Sequence, residues 1–250
     1  MSHDSLISAF WILSLVLNTA LVAILIGKGS VRRFPLFGTY AIFALLGSTA
    51  MFLLHLLHAR YQAYFYTYWL REAVAVLLGL AVVYEIFSNL FTPYPALRRL
   101  AALIFQWAIA VLVLLGVVVV AAQSSAAQSS LVTAVLVGEE ASRIVEVGLL
   151  MFLFASSTAF GLNWRQYVFG IAVGLAVFAT AELVGITMRS YWGSSADHVL
   201  SMARTIAFNL SLTMWVAYLL APEIEASRTD VPHGAQLEQW NKALTEFIYQ

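Results

Sequence analysis

The chain is predicted to be all-α, an antiparallel bundle of seven transmembrane helices with the N-terminus outside and the C-terminus in the cytoplasm. Three observations predict it. Of 250 residues, 62% are hydrophobic and 10% charged, with mean hydropathy +0.85, whereas soluble domains carry about 25% charged and 45–50% apolar residues. The apolar residues fall in runs of about 20, enough to cross about 30 Å of hydrocarbon. The basic residues of the short connections collect on one side, which the positive-inside rule makes cytoplasmic.

The spans are expected near residues 6–26, 36–58, 66–91, 100–122, 131–155, 166–190 and 198–221. No basic stretch precedes the first, and it is too long for a signal-peptide core, so it reads as a transmembrane helix. The connection after the first span carries Lys28, Arg32 and Arg33. The turn after the third carries Pro93, Pro95, Arg98 and Arg99, and a Ser/Gln/Ala loop at 123–130 follows the fourth. Pro and Gly punctuate such turns, and short connections favour antiparallel neighbours. Aromatic residues gather at the expected interfaces. Tyr61, Tyr64, Tyr66, Tyr68 and Trp69 lie at the outer side, Trp164 and Tyr167 at the inner. Amphipathic rings prefer the headgroup level.

Residues 1–221 thus form the membrane domain, and 222–250 a polar cytoplasmic tail. Within 237–247, Leu237, Trp240, Leu244 and Phe247 follow i, i+3, i+7, i+10, one apolar stripe on a short helix. That stripe is expected to meet a cytoplasmic protein partner or the membrane surface. The formal net charge is zero and no basic patch is interleaved with aromatics, so nucleic acid is not an expected partner. The absence of cysteine removes disulfides, thiolate metal sites and cysteine nucleophiles together.

The informative residues are charges inside the apolar runs. Arg60, Arg71, Arg143, Arg189 and Arg204 face an equal number of acids, Glu72, Glu139, Glu140, Glu146 and Glu182. A charge at the centre of a membrane helix costs roughly 2.5–3.5 kcal/mol on insertion scales, so such residues must pair, reach water or line a cavity. Glu139, Arg143 and Glu146 are spaced i, i+4, i+7 and share one helix face, whereas Glu140 points about 100° away. Counted along the helix rise, Glu139, Glu182 and Arg204 lie at one depth, about 10–12 Å from the outer end, with Arg71 slightly shallower. Convergence is therefore expected, and the ligand-binding residues are expected among Arg71, Glu139, Glu140, Arg143, Glu146, Glu182 and Arg204. Asn209 and Ser211 would extend the network. Equal numbers of acids and bases favour a neutral or zwitterionic small ligand.

Glu85 stands apart in the inner half of the third span, with no basic residue at its level within a span. It is a candidate proton relay, and contact with Arg98 or Arg99 is the alternative. His55 and His58, spaced i, i+3, are the candidate metal ligands, although half-solvated interfacial histidines give the same spacing. No metal or other cofactor is expected. A retinal Schiff base would need a lysine in the last span, which carries Arg204 instead. The run Glu139-Glu140-Ala141-Ser142-Arg143 resembles, over five residues, the double-glutamate and arginine motif of intramembrane CAAX-type proteases. That family places its arginine one residue further on and adds histidines on later helices, which are missing here. No nucleophile elbow, zinc-protease motif or phosphate loop is present. A non-enzymatic protein of the inner (plasma) membrane is expected. The first reading is a sensor or receptor with a polar ligand cavity in the outer half of the bundle, signalling through a separate partner. A small-solute or proton-coupled transporter and a non-catalytic subunit of a membrane complex are the alternatives.

Overall fold

The computed structural model describes residues 3–57, 60–90, 127–155, 167–192 and 197–222, with single positions between 99 and 118 and at 242. The described residues form helices and no strand. The helices are α1 (His3–Gly27), α2 (Ser30–Arg33), α3 (Pro35–Leu56), α4 (Tyr61–Leu90), α5 (Ala127–Ala155), α6 (Tyr167–Trp192) and α7 (Asp197–Leu220). Five helices are long and apolar enough to cross a membrane: α1, α3, α4, α6 and α7. Such segments must be helical, because hydrocarbon offers the backbone no hydrogen-bond partner. The helix α5 has the length, 29 residues, but carries Glu139, Glu140, Arg143 and Glu146. The expected fourth span lies largely outside the described residues, as does the tail with its apolar stripe.

Two boundaries differ from the sequence reading. The helix α5 begins at Ala127, inside the expected loop, because its Ala/Gln/Ser run holds no Gly or Pro to stop a helix. The expected loop after α1 contains one helical turn, α2, entered through Gly29 at φ 67°. Glycine takes that left-handed conformation without steric cost.

The long helices form a closed ring in which α1 touches α3, α3 touches α4, α4 touches α5, α5 touches α6, α6 touches α7 and α7 returns to α1. A further contact crosses the ring from α4 to α6. The two ends of the bundle differ in character. The end nearest α2 is a packed apolar core built from Leu21 and Leu25 of α1, Phe37 of α3, Ile86 of α4, Leu150 of α5, Leu175 of α6 and Trp215 of α7. Apart from Glu85, the buried charges occupy the opposite end.

Specific contacts close the apolar end. Gly170 and Gly174 face the rings of Tyr218 and Trp215, where any Cβ would collide. Small residues at this spacing let membrane helices approach closely. The Trp215 indole N–H donates to the Ile171 carbonyl at 3.1 Å, and its ring meets Phe37 edge-on at 5.1 Å. Lys28 Nζ donates to the Leu219 carbonyl near the end of α7, where free carbonyls favour a cation.

Candidate functional site

At the charged end, Arg204 of α7 gathers one acid from each of three helices. Its Nη2 donates to Glu72 Oε2 of α4 at 2.9 Å and to Glu139 Oε1 of α5 at 3.5 Å. Its Nε lies against Glu182 Oε1 of α6. Glu72 is shared, since its other oxygen receives Arg71 Nη1 at 3.3 Å. The expected convergence of Glu139, Glu182 and Arg204, with Arg71 beside them, is therefore present.

A second ion group lies one turn further along α5. Arg143 Nη1 donates to Glu146 Oε2 at 2.7 Å, with 3% and 0% of the two side chains exposed. Ser142 Oγ lies 3.5 Å from the other Glu146 oxygen, and the guanidinium stacks 5.1 Å from the Phe178 ring centroid. Gly79 of α4 makes room for this pair, because a Cβ there would collide with Glu146 Oε1. The spacing allowed Arg143 to choose either acid. It takes Glu146, and Glu139 is left to Arg204.

Four residues singled out in the sequence lie apart from both ion groups. Glu140 is exposed and belongs to neither group, as its 100° offset from Glu139 requires. Asn209 and Ser211 do not extend the network: Asn209 donates to the Phe10 carbonyl of α1 at 3.4 Å and Ser211 to the Ala207 carbonyl at 3.0 Å. Glu85 is placed as a helix cap. Its two oxygens accept the backbone N–H groups of Leu36 and Phe37 at 2.8 Å each, just after Pro35 opens α3. The first amides of a helix have no partner within it, and that end favours a negative charge. Arg98, one of the two alternative partners expected for Glu85, lies outside the described residues.

His58 and the side chain of His55 also lie outside the described residues. Among the described residues, no group of three or more His, Cys, Asp or Glu side chains is placed to hold a metal ion.

Beside the ion groups lies a cavity of about 270 Å³, just below the roughly 300–1,000 Å³ of small-molecule sites. Arg71, Glu72, Arg143 and Arg204 line one side. Tyr40, Phe43, Tyr68, Phe178 and Phe208 supply aromatic walls. Glu139, Glu146 and Glu182 stand behind the arginines and are not part of the lining. The cavity thus presents three arginines and one acid, a different balance from the charges counted along the sequence. Tyr40 joins it to the core, with its ring 6.1 Å from Trp215.

Sequence reasoning passed over Glu72 as a lining residue and over the whole contribution of α3. A signal was available there. Tyr40, Phe43, Ala44, Ser48 and Met51 follow i, i+3, i+4, i+8, i+11 and form one helix face, and all five line the cavity.

No protein-family model matches the sequence, and neither the curated proteins nor the solved structures contain a match to it.

Proposed function

We propose that the chain is a multi-pass membrane protein of the sensor or receptor kind, which binds a small neutral or zwitterionic molecule in the cavity beside Arg204. The observation that carries this reading is the cavity itself. Four charged side chains from α4, α5 and α7 line it, in a bundle end that could have been filled with apolar side chains, as the opposite end is. Intramembrane ionisable residues are rare and mark ligand or ion sites by default.

The proposed topology is seven spans in a plasma membrane, N-terminus outside. The course of the helices supports it. Both α4 and α5 run from the charged end toward the apolar end, Glu72 preceding Ile86 and Glu139 preceding Leu150. The chain between them has to return, which a crossing at 100–122 would accomplish. The cavity would lie in the outer half of the bundle, and a cytoplasmic partner would receive the signal through residues 237–247.

One observation favours a second reading, a non-catalytic subunit whose charges only hold helices together. Arg204 already contacts three acids and Arg143 contacts Glu146, so both ion groups close on themselves. Glu85, the residue a proton-coupled carrier was expected to use, is engaged in capping α3.

Native mass spectrometry and an absorption spectrum of gently purified protein separate the readings. A bound small molecule that disappears on Ser48→Trp, with melting temperature retained, supports the sensor. A protein without bound mass that loses assembly on Arg204→Gln supports the subunit.

A further inference from the structure

We propose that the cavity loads from within the bilayer, through a gap between α1 and α3, and that its ligand is a neutral amphiphile with a carbonyl-type head. This rests on the reading of the cavity as a ligand site, and it adds the route and the chemical class.

The gap follows from how α1 is held. Among its residues 9–27, those buried are Asn18, Leu21 and Leu25, and none lies between 9 and 17. The apolar core thus grips only the α2 end of the helix. At the charged end, the Phe10 carbonyl is tied to Asn209 of α7. Trp11 and Ile12 of α1 and Phe52 of α3 line the cavity and are also open to the outside, at 41%, 58% and 41% exposure. They fall inside the apolar segments Ala9–Gly27 and Pro35–Leu54. A mouth with such a rim, at such a level, faces hydrocarbon rather than water, and what enters must partition into lipid.

The interior selects the head. Glu72 is the one acid in the lining, and its two oxygens already receive Arg71 and Arg204. An incoming cation therefore finds no free counter-charge. An anion fares no better, because Arg71, Arg143 and Arg204 already face the four acids Glu72, Glu139, Glu146 and Glu182. Donors are in surplus instead. The Nε of the lining residue Arg143 is a buried donor with no hydrogen-bond partner among the described residues, and the lining residues Tyr40, Tyr68 and Ser48 carry hydroxyls that can donate as well. Buried donors without acceptors are costly, and a carbonyl oxygen supplies the acceptor without adding charge. Phe43, Phe178 and Phe208 suit the apolar body.

The test uses the full chain in lipid nanodiscs with three probes. They are a decyl-substituted benzophenone (a neutral photoactivatable ketone), the matching benzophenone carboxylate, and glycine betaine as a water-soluble zwitterion. The expected result is saturable labelling by the ketone in peptides covering 11–15 and 48–52. Labelling should fall roughly tenfold, about 1.4 kcal/mol, in Ser48→Trp, with Ala44→Leu as a milder filling variant, provided each melts as the parent does. Tyr68→Phe should weaken labelling less. Equal saturable labelling by the carboxylate overturns the neutral head. Labelling that rises without saturation and ignores both filling variants reflects simple partitioning and overturns the site. Saturable betaine binding, blocked by Ser48→Trp and without ketone labelling, sinks the membrane route while the ligand-site reading survives. If neither probe binds and no molecule copurifies, both fall.

Discussion

Replacing Glu85 distinguishes a structural cap from a proton relay. Its carboxylate holds the amides of Leu36 and Phe37 at 2.8 Å each, and both the carboxylate and the Phe37 residue are buried. A hydrogen bond to a charged group contributes about 1.5–3 kcal/mol, and a negative charge at a helix N-terminus adds about 0.3–1 kcal/mol. Glu85→Gln keeps one acceptor oxygen but turns an NH₂ toward the second amide and removes the charge. The expected cost is therefore about 2–3 kcal/mol. Glu85→Ala leaves both amides without an acceptor, and its cost rises to about 3–5 kcal/mol. At about 2–4 °C per kcal/mol for a chain of this size, the Gln variant should melt about 5–10 °C lower in mild detergent. Hydrogen exchange should accelerate at residues 36 and 37 before the rest of α3. A Gln variant that melts within about 1 °C of the parent, with exchange at 36 and 37 unchanged, would refute the capping argument. The relay would then be the remaining account of a buried acid at this position.

Other substitutions test the charged end and the close helix contacts. Gly79→Ala should destabilise by about 2 kcal/mol or more, although alanine is the better helix former by about 1 kcal/mol, because the new Cβ occupies the place of Glu146 Oε1; a higher melting temperature would contradict the packing. Arg204→Gln strips three acids of their shared cation and should cost about 3–5 kcal/mol. Glu182→Gln should cost far less, since Glu72 and Glu139 remain on Arg204, and equal losses in thermal unfolding would argue against Arg204 as the hub. Trp215→Phe gives up the bond to the Ile171 carbonyl and should cost about 1 kcal/mol, read as a downward shift of a few degrees.

The helical character of the chain and the depth of its charges were legible without coordinates. Hydrocarbon permits only backbones that satisfy themselves, and apolar length maps directly onto helix. The one-face spacing of Glu139, Arg143 and Glu146 and the shared level of Glu182 and Arg204 followed from helix geometry alone. Equally, the angular offset of Glu140 already pointed it away, and the structure leaves it exposed.

Partner choice was not legible. Spacing left Arg143 free to take Glu139 or Glu146, and the ring order of helices decides between them. With α4 against α5, Gly79 opens the space that Glu146 fills, while Glu139 turns toward Arg204 on α7. Nor did any local pattern show that Glu85 reaches the start of α3, about fifty residues earlier in the chain, or that α1 is gripped at one end only. Periodicity and charge report what each helix carries and at what height, because those properties belong to one segment. Which faces meet, and where packing leaves a gap, depends on side chains from separate helices competing for the same space, and only the assembled bundle resolves that competition.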